Sequence, residues 1–464
     1  MESYHDVLVV GGGITGLTAT YHLQQAFKRR NLPYSVRLLE ASGRIGGKIH
    51  TVREDGFIIE RGADSFLGRK QPALDLVEEL GLTDELVRNE VGRSYILLED
   101  KLHSIPEGSF MGIPTKRSPI EDTELLSEEG KTRVWEELTI PKQKVEGDQS
   151  LGAFLRRRLG DEAVDHLIEP LLAGVYSSDV DRMSLLATFP NFYQLEQKEG
   201  SLIEGLRKTM SQRQRSTGTR KGQFFTFKDG LSRLPEALYD QLEEGSVNLH
   251  TKVEKIELTD KGYRLHTSQG VMEAKACLLA IPHKEILPLF ADESFSVLEE
   301  ISVSSVANVV FVFNKEAIPL EKEATGFVVS RKGDYEITAC TWTTKKWPHT
   351  TPEDYMVLRA YVGKPTAQEI VFQSDDAIIE KVMQDLKRVL PIQEAPLTHY
   401  ITRYPRVMPQ YTVGHLERLT RLEEKLAKDF PGLYLSGSSY RGVGIPDCIA
   451  EARKTADEIL TYIG

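Results

Sequence analysis

Apolar runs near both ends of the chain, and one in its middle, predict buried strands. They are short and continuous rather than alternating: "DVLVV" (6–10), "SVRLLE" (35–40), "ACLLAIP" (276–282) and "LYLSG" (433–437). Continuous β-branched runs of this kind are typical of strands in a parallel sheet. The stretches "LTATYHLQQAF" and "PDCIAEARKTADEIL" repeat their apolar residues at helical spacing. The order strand, turn, helix at each end predicts an α/β fold.

The middle of the chain changes from helical to alternating patterns. Residues 90–210 predict a mainly helical insertion, and the polar, basic stretch 211–223 predicts a loop. Asp55-Gly56 predicts a hairpin turn. Alternating runs predict antiparallel strands: "SVNLHTKVEKIEL", "GYRLHTSQG", "SVANVVFVF", "GFVVS", "EITACTWTTKKW" and "YMVLRAYVGK". The segment "RYPRVMPQYTVGH" (403–415) predicts a proline-rich loop.

Composition narrows the functional classes. A chain of 464 residues with net charge −11 is an ordinary globular protein of two or three domains, and its acidity argues against nucleic acid as a partner. Three distant cysteines fit a reducing compartment and indicate neither a disulfide framework nor a zinc ribbon. No signal peptide, run of 18 apolar residues or metal motif is present, so we expect no metal. The triplet Arg156-Arg157-Arg158 predicts a solvated helix face, with anionic lipid headgroups as the alternative.

A glycine turn predicts a dinucleotide site. "GGGITG" joins the first strand to a helix: Gly11 permits the tight turn, Gly13 lets the backbone approach a pyrophosphate, and Gly16 lets helix and strand pack closely. Glu40, at the end of the second strand, can accept hydrogen bonds from ribose hydroxyls. A second glycine loop, residues 43–48, adds two cations to this anion site. A chance glycine turn is the alternative for the first motif alone.

These motifs resemble the FAD-dependent amine oxidases, phytoene desaturases and protoporphyrinogen oxidases. That family carries a glycine turn, an acidic strand end, and then an arginine followed by paired glycines. The resemblance implies a Rossmann-like FAD-binding domain of the amine oxidase type, with a substrate domain that contains an antiparallel sheet. It implies noncovalent FAD, because Cys448 lies beyond the loop where covalent members usually attach the flavin. The C-terminal strand, glycine loop and helix (residues 432–460) resemble the closing motif of that family, which implies that both chain ends build the cofactor site. The alternative is that the C-terminal helix only caps the sheet.

The resemblance also implies the cofactor contacts. They are Gly11, Gly12, Gly13, Ile14, Thr15, Gly16, Glu40, Ala41, Arg44, Gly47, Lys48, Gly62, Ala63, Asp64, Ser65, Val253, Tyr404, Gly437, Gly442, Val443 and Gly444. The family often has proline at the position of Ala63 and tryptophan at that of Tyr404. For Val253 the alternative is a plain core valine. The helix N-terminus behind Gly444 is expected to stabilise negative charge on a reduced flavin.

More specific stretches resemble the bacterial oxygen-dependent porphyrinogen oxidases, in particular the coproporphyrinogen III oxidase group of Gram-positive bacteria. They include "ERGADSFLGRK", "IEPLLAGVYSSDVDRMSLLATFP", "TACTWTTKKWPH" and "GSSYRGVGIPDC". The resemblance implies a six-electron oxidation of coproporphyrinogen III that consumes oxygen, releases hydrogen peroxide and needs no dedicated general base. Lys70 and Arg69 are expected to pair with a substrate carboxylate, with solvated cations as the alternative, and Val175 and Tyr361 are expected to line the pocket.

The expected domain organisation follows from these motifs. The cofactor domain comprises residues 1–89, 223–290 and 431–464, the helical insertion 90–210, and the substrate domain 291–430. The alternatives are a protoporphyrinogen IX oxidase, an amine oxidase of the same fold, and a non-catalytic flavoprotein that carries a tetrapyrrole or lipid. A cytoplasmic location is expected, with peripheral contact at the inner face of the membrane as an option. The sequence does not predict the oligomeric state.

Overall fold

The computed structural model describes residues 3–217, 222–290 and 293–464, and it divides into two compact units. The first unit comprises Met1–Arg88, Gln223–Ile301 and Glu417–Gly464. The second comprises Asn89–Gly222 and Ser302–Leu416. The helical insertion thus shares a unit with residues 302–416 of the expected substrate domain, whereas residues 293–301 and 417–430 of that domain belong to the first unit. Among the described residues, no helix combines the length and the apolar composition needed to cross a bilayer.

The first unit is built on a seven-stranded sheet. Five of its strands run parallel: Ser3–Val10, Val36–Leu39, Val247–Asn248, Leu433–Leu435 and Gly270–Leu279. Val253–Thr259 and Gly262–Thr267 extend it as antiparallel strands. Alternate residues of each parallel strand enter different cores; Val9 packs into one and Leu8 into the other. Burial on both faces explains the continuous apolar runs of the sequence.

Helices and two small sheets complete the first unit. Its helices, including short 3₁₀ turns, are Ile14–Arg30, Gln71–Glu79, Thr83–Glu85, Arg233–Asp240, His283–Ile286, Leu287–Leu289, Glu293–Glu300, His415–Asp429 (which begins just before the unit boundary) and Ile445–Ile463. The small sheets are Thr51–Glu54 with Phe57–Glu60, and Phe66–Leu67 with Phe224–Phe227 and Leu86–Arg88. The hairpin turn is confirmed, because Asp55 and Gly56 have φ values of +49° and +80°.

The second unit combines a sheet with a group of helices. The sheet has the strand order Thr398–Pro409, Val303–Asn314, Tyr355–Val362, Ile337–Trp342, Gly326–Val329, Tyr95–Leu98 and Lys101–Ser104. Its helices and helical turns are Ser118–Glu121, Glu128–Glu136, Leu151–Leu159, Asp161–Ala163, Val164–Ile168, Glu169–Tyr176, Leu185–Thr188, Pro190–Glu199, Leu202–Thr217, Lys315–Ala317, Thr343–Lys346, Pro348–Thr350, Glu369–Phe372 and Asp375–Val389. All its strand pairs are antiparallel except the one that joins Gly326–Val329 to Tyr95–Leu98.

Two predicted loops are wrong in part. The strand Thr398–Pro409 covers much of the expected proline-rich loop. This strand lies at the edge of the sheet, and its pairing register shifts opposite Ser304 and Val306. Pro405 falls at this shift, where its missing N–H removes no hydrogen bond of the ladder. The helix Leu202–Thr217 continues into the polar stretch 211–223, and residues 218–221 of that stretch lie outside the described part of the chain.

The arginine triplet is not a solvated face. Arg158 is fully buried, and its Nε donates to Oε1 of Glu137 at 2.7 Å. Arg157 pairs with buried Glu196 at 2.8 Å. Arg156 forms a bidentate contact with Asp181 at 3.0 Å for each bond. Sequence spacing alone could not show these pairs, because the acids lie between 21 and 39 residues away from the triplet.

Candidate functional site

The glycine turn at the end of the first strand leaves no room for side chains at two positions. A Cβ atom at Gly16 would lie 1.9 Å from the Gly11 carbonyl oxygen, so helix and strand can approach only through glycine. Gly11 has φ of +109°, and a Cβ there would lie 2.7 Å from the Ala280 carbonyl oxygen. Both observations agree with the roles that a dinucleotide turn assigns to these glycines.

Gly13 differs, because a Cβ there would meet nothing within 4 Å. Its backbone is extended (φ −74°, ψ 177°), and it is the N-cap of the helix Ile14–Arg30. The open space therefore lies directly in front of a helix N-terminus, where unpaired N–H groups and the helix dipole favour an anion. The backbone here can hold a pyrophosphate without interference from a side chain.

Glu40 ties the glycine turn to the loop that follows the second strand. Its Oε2 accepts a hydrogen bond from Gly12 N at 2.7 Å, and its Oε1 accepts two from Ser42, from N at 2.8 Å and from Oγ at 2.7 Å. A carboxylate has about four acceptor sites, so a ribose contact remains feasible. Glu40 is thus held in place by its neighbours, and its contact with ribose stays a prediction.

The second glycine loop packs against the first. Gly46 N donates to Gly12 O at 2.8 Å, and a Cβ at Gly47 would lie 3.1 Å from Gly13 Cα. Arg44 folds back on its own loop, with Nη2 donating to Gly47 O at 2.7 Å. Ala41 is exposed at the start of this loop. The loop is therefore held closed by its own arginine, and the contact of Arg44 with an anion stays a prediction.

Lys48, at the end of the second glycine loop, is a half-buried cation. Its Nζ lies 3.2 Å from Oγ of Ser438, and burial lowers the pKa of its ammonium group. Ser438 belongs to the C-terminal segment, so this contact joins the two ends of the chain. Thr15 makes a second junction, since its Oγ1 lies 3.5 Å from the position that a Cβ on Gly437 would occupy.

The segment Gly442–Gly444, which we call the closing loop, precedes the last helix, Ile445–Ile463. Gly442 has φ of +79°, and a Cβ there would lie 2.4 Å from Asp447 Cβ. Gly444 is the extended N-cap of the helix, and Val443 between them is half-buried. The predicted order of glycine loop and helix N-terminus is confirmed, whereas the contact of these residues with a flavin is not tested.

The middle segment borders the Glu40 loop. Thr251 N donates to Glu40 O at 2.8 Å, and His250 N donates to Ser42 O at 3.0 Å. Val253 begins the next strand, and its side chain is buried in a hydrophobic core of the first unit. Its side chain therefore has a core role, and its contact with adenine stays a prediction.

Residues 62–65 link two short strands near this site. Gly62 is buried, Ala63 is half-buried, and Ser65 Oγ donates to Asp64 Oδ1 at 2.7 Å. Glu60, which precedes them, is buried, and no sequence motif predicts a role for it. Its Oε1 accepts from Leu231 N at 2.6 Å and thus fastens this hairpin to the middle segment.

The two predicted substrate cations differ in their surroundings. Arg69 is exposed, whereas the Lys70 ammonium lies 2.6 Å from each carboxylate oxygen of Asp447. A sequence pattern could not reveal this partner, because the two residues are 377 positions apart. The pairing of Lys70 with a substrate carboxylate is not tested by this contact, because an ammonium has three donors.

Tyr361 and Tyr404 lie on the same face of the sheet in the second unit. Tyr361 pairs with Asn308, and Tyr404 pairs with Val306. Val306 and Asn308 are two residues apart in the same strand, so they and their partners point to one side of the sheet. The opposite face, with Ala307 and Val309, packs into the hydrophobic core. The shared face is half-buried at both tyrosines, which suits the floor of a pocket. Val175 lies in the helix Glu169–Tyr176, and its side chain is outside the described part of the structure.

Arg359 is a residue of this face that the sequence analysis missed. It alternates with Tyr361 along one strand, is 3% exposed, and places its guanidinium 5.0 Å from the centre of the Tyr361 ring. The signal was present in "YMVLRAYVGK", where an arginine falls two residues before the predicted tyrosine. A buried cation thus accompanies the aromatic residues of this face.

The family that matches this chain is flavin-containing, in agreement with the predicted dinucleotide site. Residues 14–460 match the family model "Flavin containing amine oxidoreductase". The chain is 47% identical to the coproporphyrinogen III oxidase of Bacillus subtilis (strain 168), over 98% of each chain, and 40% identical to that of Staphylococcus aureus, over 98% of this chain and 99% of the other. A crystal structure from Exiguobacterium sp. 255-15, provisionally named a protoporphyrinogen oxidase, is 42% identical and superposes with a TM-score of 0.89 over 99% of both chains. The chain belongs to the flavin-containing amine oxidoreductase family.

FAD is the cofactor, and the described residues fit it. The open space at Gly13 would accept the pyrophosphate, the Glu40 loop would lie beside the ribose, and half-buried Lys48 would supply a positive charge. The predicted fold class, a Rossmann-like FAD-binding domain of the amine oxidase type with an additional antiparallel sheet and helices, is confirmed. The individual contacts with FAD remain predictions.

Replacing Lys48 by methionine should weaken FAD binding. Lys48 directly follows Gly47, which packs against Gly13, and a hydrogen bond to a charged group is worth about 1.5–3 kcal/mol, so we expect roughly a 10- to 100-fold loss of affinity. Titration of the apo-protein with FAD, followed by the quenching of flavin fluorescence, measures it. Lys28→Met, in the last turn of the first helix, is the control. Equal affinities of the Lys48→Met and wild-type proteins would contradict the role of Lys48.

Proposed function

We propose that the chain catalyses the FAD-dependent oxidation of coproporphyrinogen III to coproporphyrin III by molecular oxygen, with release of hydrogen peroxide. The observation that carries this proposal is the full-length similarity to two coproporphyrinogen III oxidases. The site formed by the two glycine loops and the closing loop, which we call the flavin cradle, supports the proposal, because it would bind the cofactor that such an oxidation needs. The name of the Exiguobacterium protein favours protoporphyrinogen IX as the second candidate substrate.

The cofactor supplies the redox chemistry, and the residues of the chain orient and bind. When bound, FAD takes two electrons from a substrate C–H bond and passes them to oxygen, so that three turnovers account for six electrons. We assign no side chain as a general base, because the N–H groups of a porphyrinogen and solvent can carry the protons. The helix N-terminus behind the closing loop stabilises negative charge near the flavin.

The substrate is a large apolar ring with carboxylates at its edge. The sheet face of the second unit that carries Tyr361, Tyr404 and Arg359 suits both properties. Tyr361 offers an aromatic surface, and Arg359 offers a fixed cation whose planar fork matches a carboxylate. A guanidinium has five N–H donors, so it can serve a protein partner and a substrate carboxylate together. We therefore propose Arg359 as a further residue that binds a substrate carboxylate.

Replacing Arg359 by methionine should raise the KM for coproporphyrinogen III by roughly 10-fold or more, since a charge-assisted hydrogen bond is worth about 1.5–3 kcal/mol. The rise should be smaller for protoporphyrinogen IX, which carries two carboxylates instead of four. Arg264→Met is the matched control, because Arg264 lies on a strand of the other sheet and pairs at the surface with Glu273 at 2.6 Å. An Arg359→Met enzyme with wild-type KM values for both substrates would exclude this role.

The direct test is an aerobic assay of the purified protein with each porphyrinogen. Porphyrin fluorescence and hydrogen peroxide are followed together, and we expect a higher kcat/KM for coproporphyrinogen III. A preference for protoporphyrinogen IX would select the second candidate. Flavin-containing protein without turnover of either substrate would favour a carrier role, and turnover of amines instead would make it an amine oxidase.

The remaining expectations from the sequence stay predictions. They are the noncovalent attachment of FAD, the use of oxygen as acceptor, a cytoplasmic location and peripheral contact with a membrane. Acid precipitation checks the first of them, because a noncovalent flavin leaves the yellow colour in the supernatant. Cys448, the cysteine nearest the closing motif, is buried, and this burial raises the pKa of its thiol to about 11.

A further inference from the structure

An ion pair joins the N-terminal segment to the start of the last helix. The Lys70 ammonium contacts both carboxylate oxygens of Asp447 at 2.6 Å, with the side chains 38% and 29% exposed. Lys70 is the N-cap of the helix Gln71–Glu79. Asp447 lies in the first turn of the last helix, where the helix dipole also favours its negative charge. The pair thus connects the beginnings of two helices from opposite ends of the chain.

Asp447 is also packed inside the closing loop. A Cβ at Gly442 would lie 2.4 Å from Asp447 Cβ, and a Cβ at Gly444 would lie 3.0 Å from Asp447 Oδ2. Cys448, the next residue, lies with its sulfur 3.8 Å from Gly442 O. The loop is therefore wrapped around the Asp447 side chain, and a change in the position of this carboxylate moves the loop with it.

We propose that Asp447 is a positioning residue, and that its ion pair with Lys70 fixes the closing loop in the conformation that receives FAD. Lys70 holds the carboxylate from outside the loop, and the two glycines enclose it from inside. This inference concerns the cofactor end of the site, so it holds whichever porphyrinogen the enzyme oxidises. It also gives Lys70 a role that does not depend on a substrate carboxylate.

The chain offers a matched control for this pair. Arg453 and Glu79 form a second ion pair between the same two helices, at 2.8 Å and with side chains 22% and 47% exposed. It lies farther along both helices, six residues beyond Asp447 and nine beyond Lys70. Its removal takes away a similar link between the helices without touching the closing loop.

The test is a double-mutant cycle read out as FAD affinity of the apo-protein. Lys70→Met and Asp447→Asn should each weaken FAD binding about three- to fivefold, as expected for a partly exposed pair. The double variant should be no weaker than the single ones, because both remove the same contact. Glu79→Gln should leave FAD affinity within about 1.5-fold of wild type, although it lowers the thermal stability of the apo-protein by as much as Asp447→Asn does.

Unchanged FAD affinity in Asp447→Asn would overturn the proposal, and so would additive losses in the double variant. Equal weakening by Glu79→Gln would also contradict it, because the effect would then come from the helix contact in general. The KM for coproporphyrinogen III, measured at saturating FAD, separates the two roles of Lys70. A KM that rises in Lys70→Met but not in Asp447→Asn would show that Lys70 binds substrate as well. Equal KM values in the two variants would mean that positioning is the only role of Lys70.

Discussion

Gly13→Val should fold normally and yet be purified without flavin. A Cβ at Gly13 would meet no atom within 4 Å and the backbone angles there suit any residue, so we expect a change in unfolding free energy within about 0.5 kcal/mol. The added branches occupy the space in front of the helix N-terminus that the pyrophosphate needs. Loss of two charge-assisted hydrogen bonds there, about 3 kcal/mol or more, corresponds to at least roughly a hundredfold lower FAD affinity. Flavin absorbance per protein and thermal unfolding of the apo-protein measure the two effects.

Gly92→Val is the control for this experiment. A Cβ at Gly92 likewise meets nothing within 4 Å, and it lies outside the predicted cofactor contacts. That variant should retain its flavin. A yellow Gly13→Val protein with wild-type FAD affinity would show that the open space is not the pyrophosphate site.

Glu137→Ala should destabilise the protein by about 3–5 kcal/mol, the usual loss when one partner of a buried ion pair is removed. Glu137 and Arg158 are both fully buried, and Glu137 also accepts a hydrogen bond from Leu202 N at 2.7 Å. Among carboxylates, the variant leaves the buried Arg158 guanidinium with the longer contact to Glu196, at 3.4 Å. Chemical denaturation, followed by far-UV circular dichroism, measures the loss.

Glu136→Ala is the matched control, because Glu137 is the C-cap of the helix Glu128–Glu136 and Glu136 is its last residue. Its side chain is 57% exposed and pairs with Arg133 at 3.8 Å, so its loss should change stability by at most about 1 kcal/mol. Similar stabilities of the two variants would mean that the buried pair contributes no more than an ordinary surface pair.

Local sequence patterns were sufficient to predict the backbone elements of the cofactor domain. The glycine turn, the Glu40 strand end and the loop before the last helix are each formed by residues only a few positions apart, so the conformation of each depends on nearby backbone. Continuous apolar runs also identified the parallel strands, because both of their faces are buried. For these elements, the spacing of residues along the chain predicted the local conformation, and their contacts with FAD stay predictions.

Contacts between distant residues could not be predicted in this way. The partners of Lys70 and Arg158 are chosen by the tertiary fold, and an arginine triplet has the same spacing whether it is solvated or buried. The edge strand Thr398–Pro409 was missed because its prolines are typical of loops, and only its place at the edge of the sheet makes them acceptable. Arg359 was missed because its burial depends on the packing of three neighbouring strands.

Mixing the purified yellow protein with coproporphyrinogen III in the absence of oxygen tests the central claim most directly. If the cradle holds a flavin that accepts electrons from this substrate, the visible flavin absorption should bleach in a single turnover and return when oxygen is admitted, with hydrogen peroxide formed. A flavin that keeps its oxidised spectrum in the presence of excess coproporphyrinogen III would contradict the account.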